Sequence, residues 1–348
     1  MSSEINLPNN ILEKYSKNDP ELVLQTELYK KFGQRFLDYR EKYNRMLQDE
    51  KHEQFLEYPL TVVLELVNRC DLECVMCYQG FRNDANKVTV NENILDKIFD
   101  DFKKNQLPAL MLTASEPLLY KNIGHVLKRA EDAKIMDTFV FTNGSLLNKK
   151  NSEMILNSCV TRLFISIDAA TEETYDKVRI PVGKKRLQTN RLELLEKKIK
   201  DFIKYRNETG RRLPLTRVSF VALKENQHEI ENFKKKWEGI VDSVEIQRET
   251  SINLYKDIKI LEEEKKYTPK NKTYNCTKPW GDMAIYSDGR VGPCCNLVGR
   301  MSPIGNVNEK SVFEIWNGEK MNKLRDGFRN NAPNDICKIC IDNQKINI

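Results

Sequence analysis

The sequence predicts an α/β fold, a partial (β/α)6 barrel of TIM type with an N-terminal helical extension and a small C-terminal domain. Three observations carry this expectation. Short β-rich runs alternate with helical stretches across residues 59–250, the alternation is missing from residues 1–58, and residues 251–348 form a cysteine-rich section of different texture. At 348 residues with 40% hydrophobic content, the chain can bury one large core and carry an appendage.

Residues 1–58 are charged and place aromatics and leucines at helical spacing in LYKKFGQRFLDYREKYNRML (28–47), which predicts helices packed on a neighbour. The β-rich runs are LTVVLELV (60–67), ALMLTA (109–114), TFVFT (138–142), RLFISI (162–167), RVSFVAL (217–223) and SVEIQ (243–247). Strands separated by helices pair in parallel, and the loops after the strands converge over the barrel mouth, where chemistry is placed. NRCDLECVMCYQG (68–80) follows the first run, TASEP (113–117) the second, TNGS (142–145) the third and SIDAA (166–170) the fourth. Lys224 and Asn226 follow the fifth, and Gln247 to Glu249 close the sixth.

Nine cysteines stand at Cys70, Cys74 and Cys77, at Cys159, and at Cys276, Cys294, Cys295, Cys337 and Cys340. The chain is long, and MSSEINLPNN lacks the basic-then-apolar pattern of a secretory signal. Thiolates binding metal in the cytoplasm are therefore expected in place of disulfides. Four soft ligands close a tetrahedral structural site, whereas the three of C-x3-C-x2-C leave one position open. They suit a cubane iron–sulfur cluster whose fourth iron can bind a small molecule. The competing reading is a zinc knot completed by a distant thiol. Cys159, isolated among apolar neighbours, is expected to be a packing residue.

On this loop the chain resembles the radical S-adenosylmethionine (radical SAM) superfamily, whose C-x3-C-x-aromatic-C loop after the first barrel strand holds a 4Fe-4S cluster. Met76 stands at the usually aromatic position. The resemblance implies that Cys70, Cys74 and Cys77 hold the cluster, that S-adenosylmethionine (SAM) chelates its open iron, and that Met76 lies in the cofactor site. It also implies that Glu116 of ASEP contacts the SAM amino group, as the acid of a GGE stretch does. Ala114 and Ser115 replace the glycines and give up their backbone freedom. Ser166 and Asp168 match the ribose-contacting stretch, and Arg179 of YDKVR matches an arginine near the cofactor carboxylate. From the residues alone, Glu116 also reads as a helix-start acid, Asp168 as an N-cap, Ser166 as core-facing and Arg179 as a solvated helix residue.

The last section contains YNCTKPWGDMAIYSDGRVGPCCNLVG (274–299), where SDGR between alternating apolar residues predicts a hairpin, and ends in DICKICIDNQ (335–344). A thiol before the hairpin, one after it and a C-x2-C pair make a four-ligand set. With GNVNEKSVFEIWNGEKM (305–321), this section resembles the SPASM/twitch-type auxiliary-cluster extension of radical SAM enzymes. The resemblance implies one auxiliary 4Fe-4S cluster on Cys276, Cys337, Cys340 and either Cys294 or Cys295; the short form takes its ligand directly after the hairpin, which selects Cys294 and leaves Cys295 a neighbouring thiol. No cysteine follows Cys340, so the ligands allow one such cluster. A zinc ribbon on the same four thiols is the alternative.

The implied chemistry is reductive cleavage of SAM to a 5′-deoxyadenosyl radical that abstracts a substrate hydrogen atom, with electrons from a donor such as flavodoxin or ferredoxin. An auxiliary cluster able to accept an electron points to two-electron oxidation of a sugar-like or cyclitol hydroxyl. The rival is peptide maturation by oxidation, cross-linking or epimerisation, for which residues 1–58 are short and helical beside a leader-binding domain. A third reading is a non-catalytic iron–sulfur or zinc-binding protein. No residue is singled out as catalytic.

Composition narrows the partners. With 31% charged residues, a net charge of +6 and no apolar run near ~18 residues, no membrane span is expected. GKKRLQTNRLELLEKKIKDFIKYR (183–206) interleaves acids with its bases, so it reads as a solvated helix face and not as a nucleic-acid surface.

Overall fold

The computed structural model describes residues 16, 19–77, 88–184, 189–249, 251–264, 268, 273–294 and 297–344. Six parallel strands, β1 (Thr61–Leu64), β2 (Ala109–Leu112), β3 (Asp137–Thr142), β4 (Arg162–Ser166), β5 (Leu215–Ala222) and β6 (Ser243–Arg248), overlap the six predicted runs. They pair in chain order. Alternation gives the sheet two faces. Leu110, Leu112, Val140, Leu163, Val218 and Phe220 are fully buried against the helices. Met111, Phe139, Phe141, Ser166, Arg217 and Gln247 on the opposite face are partly exposed and line the barrel interior.

The intervening helices follow from spacing and caps. Glu92–Lys104 starts at Asn91, whose side chain accepts from Asn93 N, and buries Ile94, Leu95, Ile98, Phe99 and Phe102 along one stripe. Fully burying each such side chain contributes about 1.5–3 kcal/mol. Arg191–Glu208 buries Leu195, Ile199 and Phe202, while its lysines Lys197, Lys200 and Lys204 are exposed, as a solvated face requires. Cys159 packs in the main core, as expected.

The N-terminal helices Pro20–Phe32 and Gln34–Gln48 close the strand-start end of the barrel. Arg162 of β4 forks onto Glu21 with two bonds of 2.7 Å. Arg35 donates to Lys134 O at 2.7 Å and Gln106 O at 3.1 Å, just before β3 and β2. Leu24, Leu28, Phe36 and Tyr39 join the same core as the sheet.

The predicted hairpin forms from β7 (Asp282–Ile285) and β8 (Arg290–Gly292), antiparallel, with Gly289 at φ +87° in its turn. β9 (Gly305–Asn306) pairs with β8. The sequence did not reveal where the hairpin goes. β7 pairs in parallel with β1, from Thr61 opposite Asp282 to Leu64 opposite Ile285, so the sheet runs β6-β5-β4-β3-β2-β1-β7-β8-β9. Glu65, fully buried just after β1, fastens this join: it accepts from Ser287 Oγ at 2.8 Å and pairs with Arg300. The section also reaches back to the N-terminal side, where Trp316 Nε1 donates to Leu56 O at 2.7 Å.

Candidate functional site

The strand ends and the loops after them line an open cavity of about 370 Å³. Cys70, Cys74, Met76, Cys77, Glu116, Ser166, Asp168 and Arg179, the predicted site residues of the barrel, all line it, beside Thr113, Phe141, Asn143 and Gln247. A larger cleft of about 600 Å³ at Arg35, Tyr39, Tyr58 and Phe313 contains none of them.

The cysteine loop is held by main-chain bonds to the segment after β4: Glu73 N to Ile180 O at 2.6 Å, Val75 N to Val178 O at 3.1 Å, and Val182 N to Asp71 O at 3.0 Å. Cys70 Sγ accepts from Leu72 N at 3.5 Å and faces Asn143 Nδ2 at 3.6 Å. Arg179 Nη1 donates to Cys74 Sγ at 3.3 Å. Burial pushes both thiols above their ordinary range, and the Arg179 guanidinium opposes this at Cys74. Among the described residues no three His, Cys, Asp or Glu side chains gather tightly enough for a single metal ion. Three thiols around a cavity, two of them receiving N–H donors, fit a cubane that offers separate corners to its thiolates.

Glu116 is fully buried. It starts the 3-10 turn Pro117–Leu119 by accepting from Leu118 N at 3.0 Å, so the helix-start role is real. Its oxygens also accept from Thr142 Oγ1 at 2.9 and 3.0 Å and from Asn143 N at 2.8 Å, which ties the end of β2 to the end of β3. Two residues earlier, Ala114 sits at φ +80°, so the glycine-type backbone persists where the glycine does not. That strain is on the order of 1–2 kcal/mol.

Asp168, fully buried at φ +64°, is not an N-cap; Thr171 caps the following helix, Glu172–Val178. Its Oδ1 accepts from Val221 N at 2.7 Å, and its other oxygen pairs with Arg179. Arg179, 8% exposed, is therefore no solvated helix residue; it bridges Asp168 and Cys74. Ser166 faces the cavity and not the core, and Met76 is buried beside the thiols.

Sequence reasoning assigned no role to Asp71, Asn143 or Asn226. Asn226 is fully buried, donates to Asp168 O and Val221 O at 2.9 Å each, and accepts from Leu223 N at 2.7 Å, which sets the end of β5. The signal was position: TNGS and Asn226 both stand at strand ends.

In the C-terminal section, burial and then the neighbouring Cys276 and Cys340 push the Cys337 thiol up to about 12, so the three thiols are near enough to interact electrostatically. Cys337 and Cys340 share a face of the helix Asp335–Gln344 through i,i+3 spacing. Cys294 follows the hairpin where the chain doubles back so closely that a Cβ on Gly299 would clash with Cys294 O. Cys295 lies outside the described residues.

Residues 64–237 match the radical SAM superfamily, and residues 276–341 match SPASM, an iron–sulfur cluster-binding domain. The chain belongs to the radical SAM superfamily. As a radical SAM enzyme it uses a 4Fe-4S cluster and SAM, and its SPASM domain is iron–sulfur binding. It is 26% identical over 322 residues to the AdoMet-dependent heme synthase of Methanosarcina barkeri, covering 81% of this chain and 90% of that protein. In fold it is similar to Streptococcus suis SuiB bound to SAM, with a TM-score of 0.57 and 18% identity over 78% of this chain and 68% of that one. It is also similar to BtrN in complex with AdoMet and 2-DOIA, with a TM-score of 0.51 and 14% identity over 82% of this chain and 93% of that one. Among the described residues no helix is long and apolar enough to cross a membrane.

The Glu116 network of the radical SAM barrel makes a direct prediction. Glu116→Gln turns an N–H toward donors that now meet oxygen, which should lower stability by about 1–3 kcal/mol in chemical denaturation. Burial raises the Glu116 carboxyl to about 7 against the hydrogen bonds that lower it. Below neutrality the folded chain thus holds a proton that the unfolded chain has released, and stability falls as pH rises through that window. Glutamine does not titrate, so the gap between wild type and variant should narrow from about pH 5 to about pH 7. An equal gap at both ends would mean that the buried carboxyl stays ionised throughout.

Proposed function

We propose that this radical SAM enzyme oxidises a hydroxyl of a sugar-like or cyclitol small molecule to a carbonyl. Cys70, Cys74 and Cys77 would hold the SAM-binding cluster; Met76, Glu116, Ser166, Asp168 and Arg179 would line the SAM site; and Cys276, Cys294, Cys337 and Cys340 would hold one auxiliary cluster. Bound there, these groups supply one electron and a 5′-deoxyadenosyl radical that takes a hydrogen atom from substrate. The chain's own part is to bury that event: the N-terminal helices close one end of the barrel, and the thiol loop, the β2 and β3 ends and Arg179 wall the other. A carbinol carbon that has given up a hydrogen atom must still lose one proton and one electron to become a carbonyl.

The observation that carries this reading is the parallel pairing of β7 with β1. It adds the hairpin flanked by Cys276 and Cys294 to the barrel sheet beside β1, with its turn at the three-thiol end and both cysteines toward the strand-start end, which supports an electron acceptor carried on the same sheet as the radical site. The interior face supports a polyol. Phe141 at the cavity meets Phe164 edge-on at 4.7 Å, Phe164 carries Arg217 at 3.6 Å from its ring, and Arg217 pairs with Glu245. At the cavity itself, the Phe141 ring for C–H groups and the Gln247 amide for hydroxyls suit a hydroxylated ring.

The second reading, peptide modification, draws on β6, the half-exposed edge strand of the sheet, to which an extended peptide could add. A donor such as flavodoxin or ferredoxin would supply the electrons, and a reducing cytoplasm suits these thiols. The test is anaerobic reconstitution with SAM, a reductant and cyclitols deuterated at the carbinol carbon. Deuterium in 5′-deoxyadenosine together with a ketone product is the expected result. Deuterium arriving only from labelled peptides would transfer the function to the second reading, and no 5′-deoxyadenosine with either substrate class would leave neither standing.

A further inference from the structure

We propose that Asn143 is a positioning residue for the three-thiol loop, and that its amide N–H toward Cys70 sets the reduction potential of the cluster that loop holds. This rests on the assignment of Cys70, Cys74 and Cys77 as ligands.

Asn143 is 5% exposed, and its polar atoms are committed in two directions. Its backbone N donates to Glu116 and its Oδ1 accepts from Ser145 N at 2.8 Å, which fixes the amide at the end of β3. Its Nδ2 then spans to the cysteine loop, 2.7 Å from Asp71 Oδ1 and 3.6 Å from Cys70 Sγ. Ser145 Oγ completes the clamp by donating to Asp71 Oδ2 at 2.6 Å, and Lys198 Nζ in turn donates to Ser145 O. Two strand ends far apart in sequence are thereby locked through one side-chain amide.

The electrostatic consequence follows from sign. Reduction adds negative charge to a cluster and its thiolates, so an N–H donor at a ligand sulfur favours the reduced form and a carboxylate beside it favours the oxidised form. Cys74 has the Arg179 guanidinium for this purpose. Cys70 has Asp71 next in sequence, and Asn143 both donates toward the sulfur and occupies that carboxylate. Removing the donor leaves Cys70 with Leu72 N beside it and frees the Asp71 carboxylate from the amide that occupies it.

The experiment is a redox titration of the reconstituted full-length enzyme, followed by the electron paramagnetic resonance signal that changes when SAM is added. Asn143→Asp keeps the size and the acceptor for Ser145 N but replaces the donor with an oxygen. At a fixed poise its reduced-to-oxidised ratio should fall about tenfold, equivalent to about 59 mV for a one-electron couple. Asp71→Asn removes the carboxylate and should shift the ratio the other way, with the SAM-unresponsive signal unmoved in both. Wild-type iron content with wild-type potentials in both variants overturns the proposal and leaves Asn143 a loop brace. If Asn143→Asp assembles no SAM-responsive cluster, Asp71→Asn decides: a raised potential supports the proposal and an unchanged one overturns it. A wild type with no SAM-responsive signal removes the ligand assignment, and the proposal with it, which separates the two failures.

Discussion

Replacing Cys70, Cys74 and Cys77 together by alanine should abolish SAM cleavage and halve the iron content of the anaerobically reconstituted enzyme, from about eight irons to about four. The three thiols line one cavity with Glu116, Asp168 and Arg179, so their loss removes the proposed ligands while the rest of the cavity wall remains. The loop should keep its shape, because main-chain bonds from Glu73, Val75 and Val182 and the Asp71 carboxylate hold it without the sulfurs. Iron analysis and 5′-deoxyadenosine formation read the outcome together. A triple variant that keeps the full iron content would move the SAM-binding cluster elsewhere, and a wild type that takes up zinc but no iron would leave the barrel without its chemistry.

The second large effect separates the two halves of the proposed oxidation. Cys337→Ala with Cys340→Ala removes two of the proposed auxiliary-cluster ligands, which share one helix face beside Cys276. The double variant should still cleave SAM, since the barrel cavity is untouched, but should form little oxidised product for want of an electron acceptor. Cys337 is 8% exposed within the main core, so the substitution also costs packing, and circular dichroism must accompany the assay. Full product formation by a folded variant holding only about four irons would point to a redox-neutral reaction instead.

The parts of this molecule that sequence reasoning reached are those with local signals. Short β-rich runs located all six barrel strands, and the cavity is lined from the ends of those strands, as by Phe141, Ser166 and Gln247, and from the segments after them. What escaped was set by partners distant in the chain. Nothing near Asp282 or Thr61 announces that their strands pair, because a parallel register is chosen by the whole sheet. Arg162 gave no hint of Glu21, nor Asn143 of Asp71, since the value of a buried polar group depends on what faces it. Asp168 misled in the N-cap reading for the same reason: its carboxylate serves Val221 on β5 and Arg179, while Thr171 does the capping.

The placement of β1 between β2 and β7 bears on how such an enzyme can be taken apart. A chain ending before β7 would leave β1, Thr61 to Leu64, as a bare sheet margin of one threonine and three apolar residues, all buried in the intact protein. Such a margin recruits foreign strands, which makes it an aggregation template. Glu65 would at the same time lose Arg300 and keep its charge in the interior. The C-terminal section is thus a shield for the barrel's own first strand as well as a holder of thiols, and domain-exchange chimeras should be joined beyond β9, leaving the three-strand flank attached.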